Sequence, residues 1–261
     1  MSGLLLRLAG PLQSWGERSA FAPTRDTTSF PTRSALIGMF CAAQGRPRDA
    51  DDDTLARHAE LEFTVRIDRP GIRLIDYHTV GGGQPKHLTA ATSGGDHKGD
   101  AVITRRHYLA DAVFTVAVSG PDDTITAIAT ALHQPHWAPY LGRRSCVPDE
   151  PFLLRTAVDD PVRELLERVP LSLPEAGDQG RAYRGGDVPV DFLWETYHQD
   201  QLPQDAVTLT VHDVPLSFAQ HSRSHGKRLV HRTTEQLPAT LRADQASLHQ
   251  RLTDYAQEEF A

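Results

Sequence analysis

At 261 residues, with 39% hydrophobic side chains and a formal charge of −7, the chain can bury one elaborated core, or a domain with a smaller companion. No apolar run approaches the roughly 18 to 20 residues that span a bilayer, and no charged-then-apolar leader opens the sequence. Cys41 and Cys146 lack the pairing of a disulfide framework or a zinc site. These features argue against membrane association and thiol redox chemistry, and they imply a cytoplasmic protein with two buried reduced thiols.

Leu4 to Leu8 reads as a buried first strand, stopped by Gly10-Pro11 and followed by the polar turn Gln13-Ser14-Trp15-Gly16. A helix comes next, framed by Thr32 as N-cap and Gly45 as C-terminal stop, with Ala35, Leu36, Met39, Phe40 and Ala43 on its apolar face. Leu61, Phe63, Val65 and Ile67 alternate with polar residues as a half-buried strand, and Ala112 to Val118 forms another. Pro121-Asp122-Asp123 opens a second helix carrying Ile125, Ile128, Ala129 and Leu132, and Phe152 to Leu154 closes the series as a strand.

The order strand, helix, strand, strand, helix, strand is that of α+β, ferredoxin-like (RRM-type) folds. Between the second and third strands, where a hairpin needs about 2 to 5 loop residues, the chain runs from Asp68 to Asp111. That stretch holds Gly81-Gly82-Gly83 and Gly94-Gly95, and it reads as a flexible or ribbon-like arm over about 76–108. Beyond residue 155 the pattern thins. Residues 171–205 read mostly as loop around Pro174, Pro189 and Pro203, Val207 to Val211 is a strand, and Leu241, Leu248, Leu252 and Tyr255 share a helical face. The expected organisation is a domain over 1–155, a smaller β-containing region over 156–235, and a terminal helix over 236–261.

A net charge of −7 argues against nucleic acid only if it is spread evenly, because charge acts within about 10 Å. It is not even: residues 1–48 carry a net +4, whereas residues 148–200 carry −7. Three basic constellations stand out. Phe30-Pro31-Thr32-Arg33-Ser34 begins a helix with free N–H groups, an arginine and hydroxyls, an arrangement that suits phosphate, although an ordinary capped helix is the commoner meaning. Tyr140-Leu141-Gly142-Arg143-Arg144 offers ring, accessible backbone and guanidiniums to a single RNA strand, or is a solvated loop. The arm mixes Lys86, Lys98, Arg105 and Arg106 with Tyr77, His78, His97, His107 and Tyr108, yet its net charge is only +1. Charge alone cannot make it a strong RNA clamp.

The pairs His133/His136 and His221/His225 lack the carboxylate or cysteine that would complete a metal site. Metal-free RNA cleavage would need a base and an acid, roles open to His78 or His107 with Tyr77 or Tyr108. Phosphate-loop, dinucleotide and nucleophile-elbow motifs are all missing, so no cofactor is expected.

Four stretches in order, Leu6 to Gly16, Phe30 to Ser34, Asp76-Tyr77-His78-Thr79-Val80 and Pro139 to Cys146, with Arg106-His107-Tyr108-Leu109, resemble the CasD subunits of type I-E CRISPR Cascade. The resemblance covers residues 1–155 strongly and thins to about 235, leaving the last helix as an extension. It implies an RRM-like body that caps the 5′ handle of CRISPR RNA without cutting it. The arm would be a thumb beside a CasC-type backbone subunit, with a CasA-type large subunit as a further contact and target DNA met through the assembled complex. In type I-E systems cutting is assigned to CasE, whereas the type I-C counterpart cuts RNA itself. The implied RNA-binding set is Gln13, Trp15, Thr32, Arg33, Ser34, Tyr77, His78, Arg105, Arg106, Tyr108, Tyr140, Gly142, Arg143 and Arg144, with Arg33, Arg143 and Arg144 as principal phosphate ligands. A metal-independent endoribonuclease and a purely protein-binding scaffold are the alternatives.

Overall fold

A computed structural model describes residues 2–16, 23–47, 52–89, 96–97, 101–173, 186–197, 202–219 and 223–258. The chain opens with β1 (Ser2–Ala9), β2 (Leu12–Gln13) and β3 (Thr24–Arg25), then α1 (Arg33–Ala43) and α2 (Asp52–Ala59). Four strands follow: β4 (Glu62–Arg69), β5 (Ile72–Val80), β6 (Val102–Ala110) and β7 (Val113–Gly120). After α3 (Asp122–His133), β8 (Leu153–Val158) and α4 (Pro161–Glu167) come β9 (Val188–Trp194), β10 (Val207–Ser217), β11 (Ser224–Leu237) and α5 (Gln245–Gln257).

The result is a mixed α+β architecture around a seven-stranded sheet in the order β10-β11-β9-β4-β7-β1-β8, antiparallel at every step. Central strands buried on both sides read as nearly continuous apolar runs. In β1, Leu4, Leu6 and Leu8 enter one core while Leu5 enters another. The first core gathers Leu36, Ile37 and Phe40 of α1 with Ile125, Ile128 and Leu132 of α3. The second holds Leu165 of α4, Leu248, Leu252 and Tyr255 of α5, and Val190, Phe192 and Trp194 of β9.

A polar cluster fastens the second layer. The Arg66 guanidinium, without solvent exposure, donates to the carbonyls of Leu165 in the last turn of α4 and of Val169 and Pro170 just past it, and pairs with Asp68 at 2.7 Å. Those carbonyls lie where a helix end leaves acceptors unsatisfied. Asp68 in turn accepts from the Ser172 N–H. Tyr255 Oη donates to Glu164, and Arg155 lies 3.9 Å above the Tyr255 ring, so α5 is tied to α4 and β8.

The second sheet is built on β6. Along one edge β5 pairs from Ile72↔Ala110 to Val80↔Val102, and along the other lie β2, antiparallel, and β3, parallel. The stretch expected to be a flexible or ribbon-like arm thus begins and ends in a regular two-stranded ribbon, with Asp76 to Val80 paired against Val102 to Arg106. Residues 171–205 contain β9, which the sequence reading placed in a loop. Pro189 sits within β9, and Val190, Phe192 and Trp194 belong to a core that α4 and the distant α5 help complete. Expected Lys98 and Gly94-Gly95, and His221 of the His221/His225 pair, lie outside the described residues.

Candidate nucleic-acid interface

Residues directly opposed in an antiparallel pair share a face. One face of the ribbon therefore carries Leu74 with Tyr108, Asp76 with Arg106, and His78 with Thr104. The other carries Ile75 with His107, Tyr77 with Arg105, and Thr79 with Ile103. β3 adds Thr24 beside Arg105 and Arg25 beside Arg106. The second face is open: Tyr77 is 61% exposed, Ile75 59% and Ile103 48%, with Arg105 also exposed. Apolar side chains this exposed, grouped on a projecting element, mark a surface used in recognition.

At the base of the ribbon the 139–146 loop closes on itself. The Leu141 N–H donates to Cys146 and the Cys146 N–H to Arg143, while the Ser14 N–H donates to Leu141. Gly142 has φ +83°, and a Cβ there would lie 1.7 Å from the Ser14 carbonyl oxygen, so only glycine lets the loop seat this closely. Arg143 lies over the Tyr108 ring at 4.5 Å and donates to the Arg25 carbonyl at 3.2 Å. Arg144 projects into solvent beside it, and Tyr140 is half-buried.

Other expected RNA contacts are occupied inside the protein. Gln13 and Trp15 have no exposure. Gln13 Nε2 donates to the carbonyls of Leu8 and Ala112, and its Oε1 accepts from Trp15 Nε1, which locks the β1–β2 junction onto β7. Thr32 is buried and its hydroxyl makes no capping bond to α1. The cap is Asp213 of β10, which accepts the Arg33 N–H at 2.7 Å.

The Arg33 guanidinium, also buried, pairs with Glu195 at 2.5 Å and donates to the carbonyls of His58 and Ala59. Arg228 bridges the same two carboxylates at 2.6 and 2.7 Å. Burial pushes the Glu195 carboxyl above its ordinary range, and the two guanidiniums pull it back. The phosphate seat read from Phe30 to Ser34 is therefore filled by the protein's own carboxylates. Ser34 is half-buried against Thr32.

His78 and His107 fall on opposite faces of the ribbon, so the two imidazoles do not converge. His107 shares its face with Tyr77, one diagonal step away, which in a ribbon is about 7–8 Å. Two cations missed in the sequence reading belong here: Arg25, beside Arg106, and Arg73, whose guanidinium donates to the Thr27 carbonyl. Arg25 was visible as part of the basic N-terminal segment. Arg73 had no signal until β5 was recognised as a strand.

Burial raises the Cys41 thiol to about 11 and raises Cys146 as well, so neither is a ready nucleophile. Among the described residues no three His, Cys, Asp or Glu side chains group as metal ligands, and no helix is long and apolar enough to cross a membrane.

With this geometry in hand, comparison with known proteins is informative. The family model described as CRISPR-associated protein (Cas_Cas5) matches residues 3–231. The CRISPR system Cascade subunit CasD of Escherichia coli (strain K12) is 34% identical over 232 residues, which covers 84% of this chain and 92% of that protein. A solved chain of a CRISPR RNA-guided surveillance complex superposes with a TM-score of 0.84 at 47% identity, covering 98% of this chain and 100% of that one. A crystal structure of a Cas protein gives a TM-score of 0.59 at 30% identity over 93% and 98% of the two chains. The 98% share leaves fewer residues uncovered than the 13 of α5, so the terminal helix is not an addition peculiar to this chain.

Proposed function

Because the chain belongs to the CRISPR-associated Cas5 family, we propose that it is the RNA-binding subunit of a type I-E CRISPR surveillance complex, capping the 5′ handle of the CRISPR RNA without cutting it. Its similarity to a Cascade subunit and to a chain of an RNA-guided surveillance complex supports that role. The body, residues 1–155, reads as ferredoxin-like: β4, β7, β1 and β8 lie side by side with α1 and α3 on one face. Residues 156–235 enlarge its sheet and 236–261 cover it.

RRM-type proteins stack bases on the open face of the sheet. Here α4 and α5 cover that face, so RNA must be held at the ribbon and the loop at its base. The observation that carries the proposal is the open ribbon face, where the Tyr77 ring stands directly opposite Arg105. A ring beside a guanidinium accepts a splayed base and its phosphate together. The ribbon acts as the thumb, with Ile75 and Ile103 turned to a CasC-type backbone subunit and a CasA-type large subunit adjoining. Target DNA is met by the assembled complex, where guide pairing reads its sequence. No cofactor takes part, and the complex acts in the cytoplasm.

Endonucleolytic cutting is the lesser reading. His78 has neither His107 nor Tyr77 on its own face, and Tyr77 is too exposed to be held as an acid.

Crosslinking the chain to guide RNA within the purified complex tests the proposal. Links from the 5′ handle to the Tyr77–Arg105 face are expected, and Tyr77→Ala should weaken handle binding by about 1–3 kcal/mol without lowering Tm. Links confined to other subunits, or specific cutting of repeat RNA in chelator that His107→Ala abolishes, would overturn it.

A further inference from the structure

We infer that the adjacent arginines of the 139–146 loop have divided roles: Arg143 is a positioning residue clamped to a Tyr108 pedestal, and Arg144 is the side chain that meets an RNA phosphate. This rests on the RNA-binding reading above and assigns its phosphate contact.

Residue type alone makes Arg143, Arg144 and Tyr108 equivalent candidates for RNA contact. Their surroundings separate them. Tyr108 is only 6% exposed and belongs to the first core, so its ring offers no free face to a base. The side it turns to the loop is covered by the Arg143 guanidinium at 4.5 Å, within the range of a cation–π contact. Arg143 Nη2 is held by the Arg25 carbonyl, while Nη1 is shut away from solvent without a hydrogen-bond partner among the described residues. With Nη2 engaged and Nη1 away from solvent, its two terminal nitrogens do not form the bidentate fork that phosphate recognition uses.

What Arg143 does instead is join three elements: its own loop, Tyr108 of β6 and Arg25 of β3. The loop is also fixed at Gly142 against Ser14. Past these two anchors, and before buried Cys146, the chain turns Arg144 and Ser145 outward, and both are exposed. The clamp therefore sets the direction of Arg144 before RNA arrives, so less side-chain and loop ordering is left to binding.

Salt dependence separates one phosphate contact from two, because each contact to a single strand contributes about 0.7 to the slope of log affinity against log salt. The full-length chain would be titrated with fluorescent single-stranded RNA of the handle sequence over a salt series, with thermal unfolding run on every variant. Arg144→Ala should lower the slope by about 0.7, and Arg143→Ala and the double variant should lower it by that same amount. Tyr108→Phe, which keeps the pedestal, should bind as the native chain does, whereas Tyr108→Leu should behave as Arg143→Ala.

A drop of about 1.4 in the double variant, with additive losses of affinity, would give Arg143 its own phosphate and overturn the division of roles while leaving the RNA-binding reading intact. So would an Arg144→Ala variant with native slope. Native protein whose binding shows no salt dependence would instead sink the RNA-binding reading together with the inference.

Discussion

Replacing Asp213 by alanine should destabilise the protein far more than it alters the grip on RNA. The Asp213 carboxylate is buried and accepts three bonds, from the Arg33 N–H at 2.7 Å and from Arg228 at 2.6 and 2.7 Å. Its removal strands the first turn of α1 and leaves Arg228 with Glu195 alone, which must also neutralise Arg33. Deleting one partner of a buried, hydrogen-bonded ion pair costs about 3–5 kcal/mol. For a chain of this size each kcal/mol lowers Tm by about 2–4 °C, so the lower bound corresponds to a fall of about 6–12 °C. Urea unfolding and a thermal melt would measure it. Arg33→Ala belongs in the same experiment. If Arg33 held a phosphate, that variant would keep its Tm and lose affinity with a shallower salt slope. The ion cluster requires the reverse: a lowered Tm, and native slope in the folded fraction. Variants at both positions melting within about 2 °C of the native chain, a shift worth under 1 kcal/mol, would refute the reasoning.

Gly142→Ala should disturb the loop that bears Arg144, since its Cβ would meet the Ser14 carbonyl and its φ is one that alanine resists, a strain of about 1–3 kcal/mol before the clash is counted. A lowered Tm with weaker RNA binding is expected, and native behaviour in both assays would mean the loop does not seat against Ser14. A pH effect is expected from His58, whose imidazole is held below its ordinary value of 6.5 by burial, aided by Arg46, Arg33 and Arg57 and opposed by its bond to Thr54. Below that value the unfolded chain takes up a proton that the folded chain resists, so this contribution is complete above about pH 6.5 and falls away as pH drops. Melts of the native chain and His58→Gln across about pH 7.5 to 5.5 should show the variant losing less Tm on acidification; parallel curves would contradict the assignment.

The fold was legible in the sequence wherever burial is local. Leu4 to Leu8, the alternating Phe63, Val65 and Ile67, and Phe114, Val116 and Val118 declare their strands because their own neighbours complete the pattern. β5 escaped notice because it is exposed along most of its length and its half-buried positions, Asp76 and His78, are polar; its pairing with β6 makes it a strand. β9 was hidden by Pro189 and by a core supplied from α5. At the site, residue type pointed to segments that the structure gathers at the ribbon and its base, but it could not tell an exposed arginine from an occupied one. Arg33 looks available until Glu195 and Asp213, 162 and 180 positions away, fold back on it. Arg144 kept its solvent exposure, and nothing in the order Gly-Arg-Arg distinguishes it from Arg143.

The C-terminal half gives these placements a common cause. By adding β9, β10 and β11 to one edge of the sheet and laying α4 and α5 over its second face, it closes the surface on which an RRM-type body would stack bases. The charges of the covering layer are engaged with one another: Asp160 caps α4, Arg163 pairs with Glu167, and Arg155 and Arg168 both pair with Glu164 and Glu258. A polyanion meets paired charge there and is drawn instead toward Arg25, Arg73, Arg105, Arg106 and Arg144 around the ribbon and its base. The net charge of −7 is thus compatible with RNA binding and restricts it. Paired charge over the closed face and cations around the ribbon direct a single strand to the ribbon and its base.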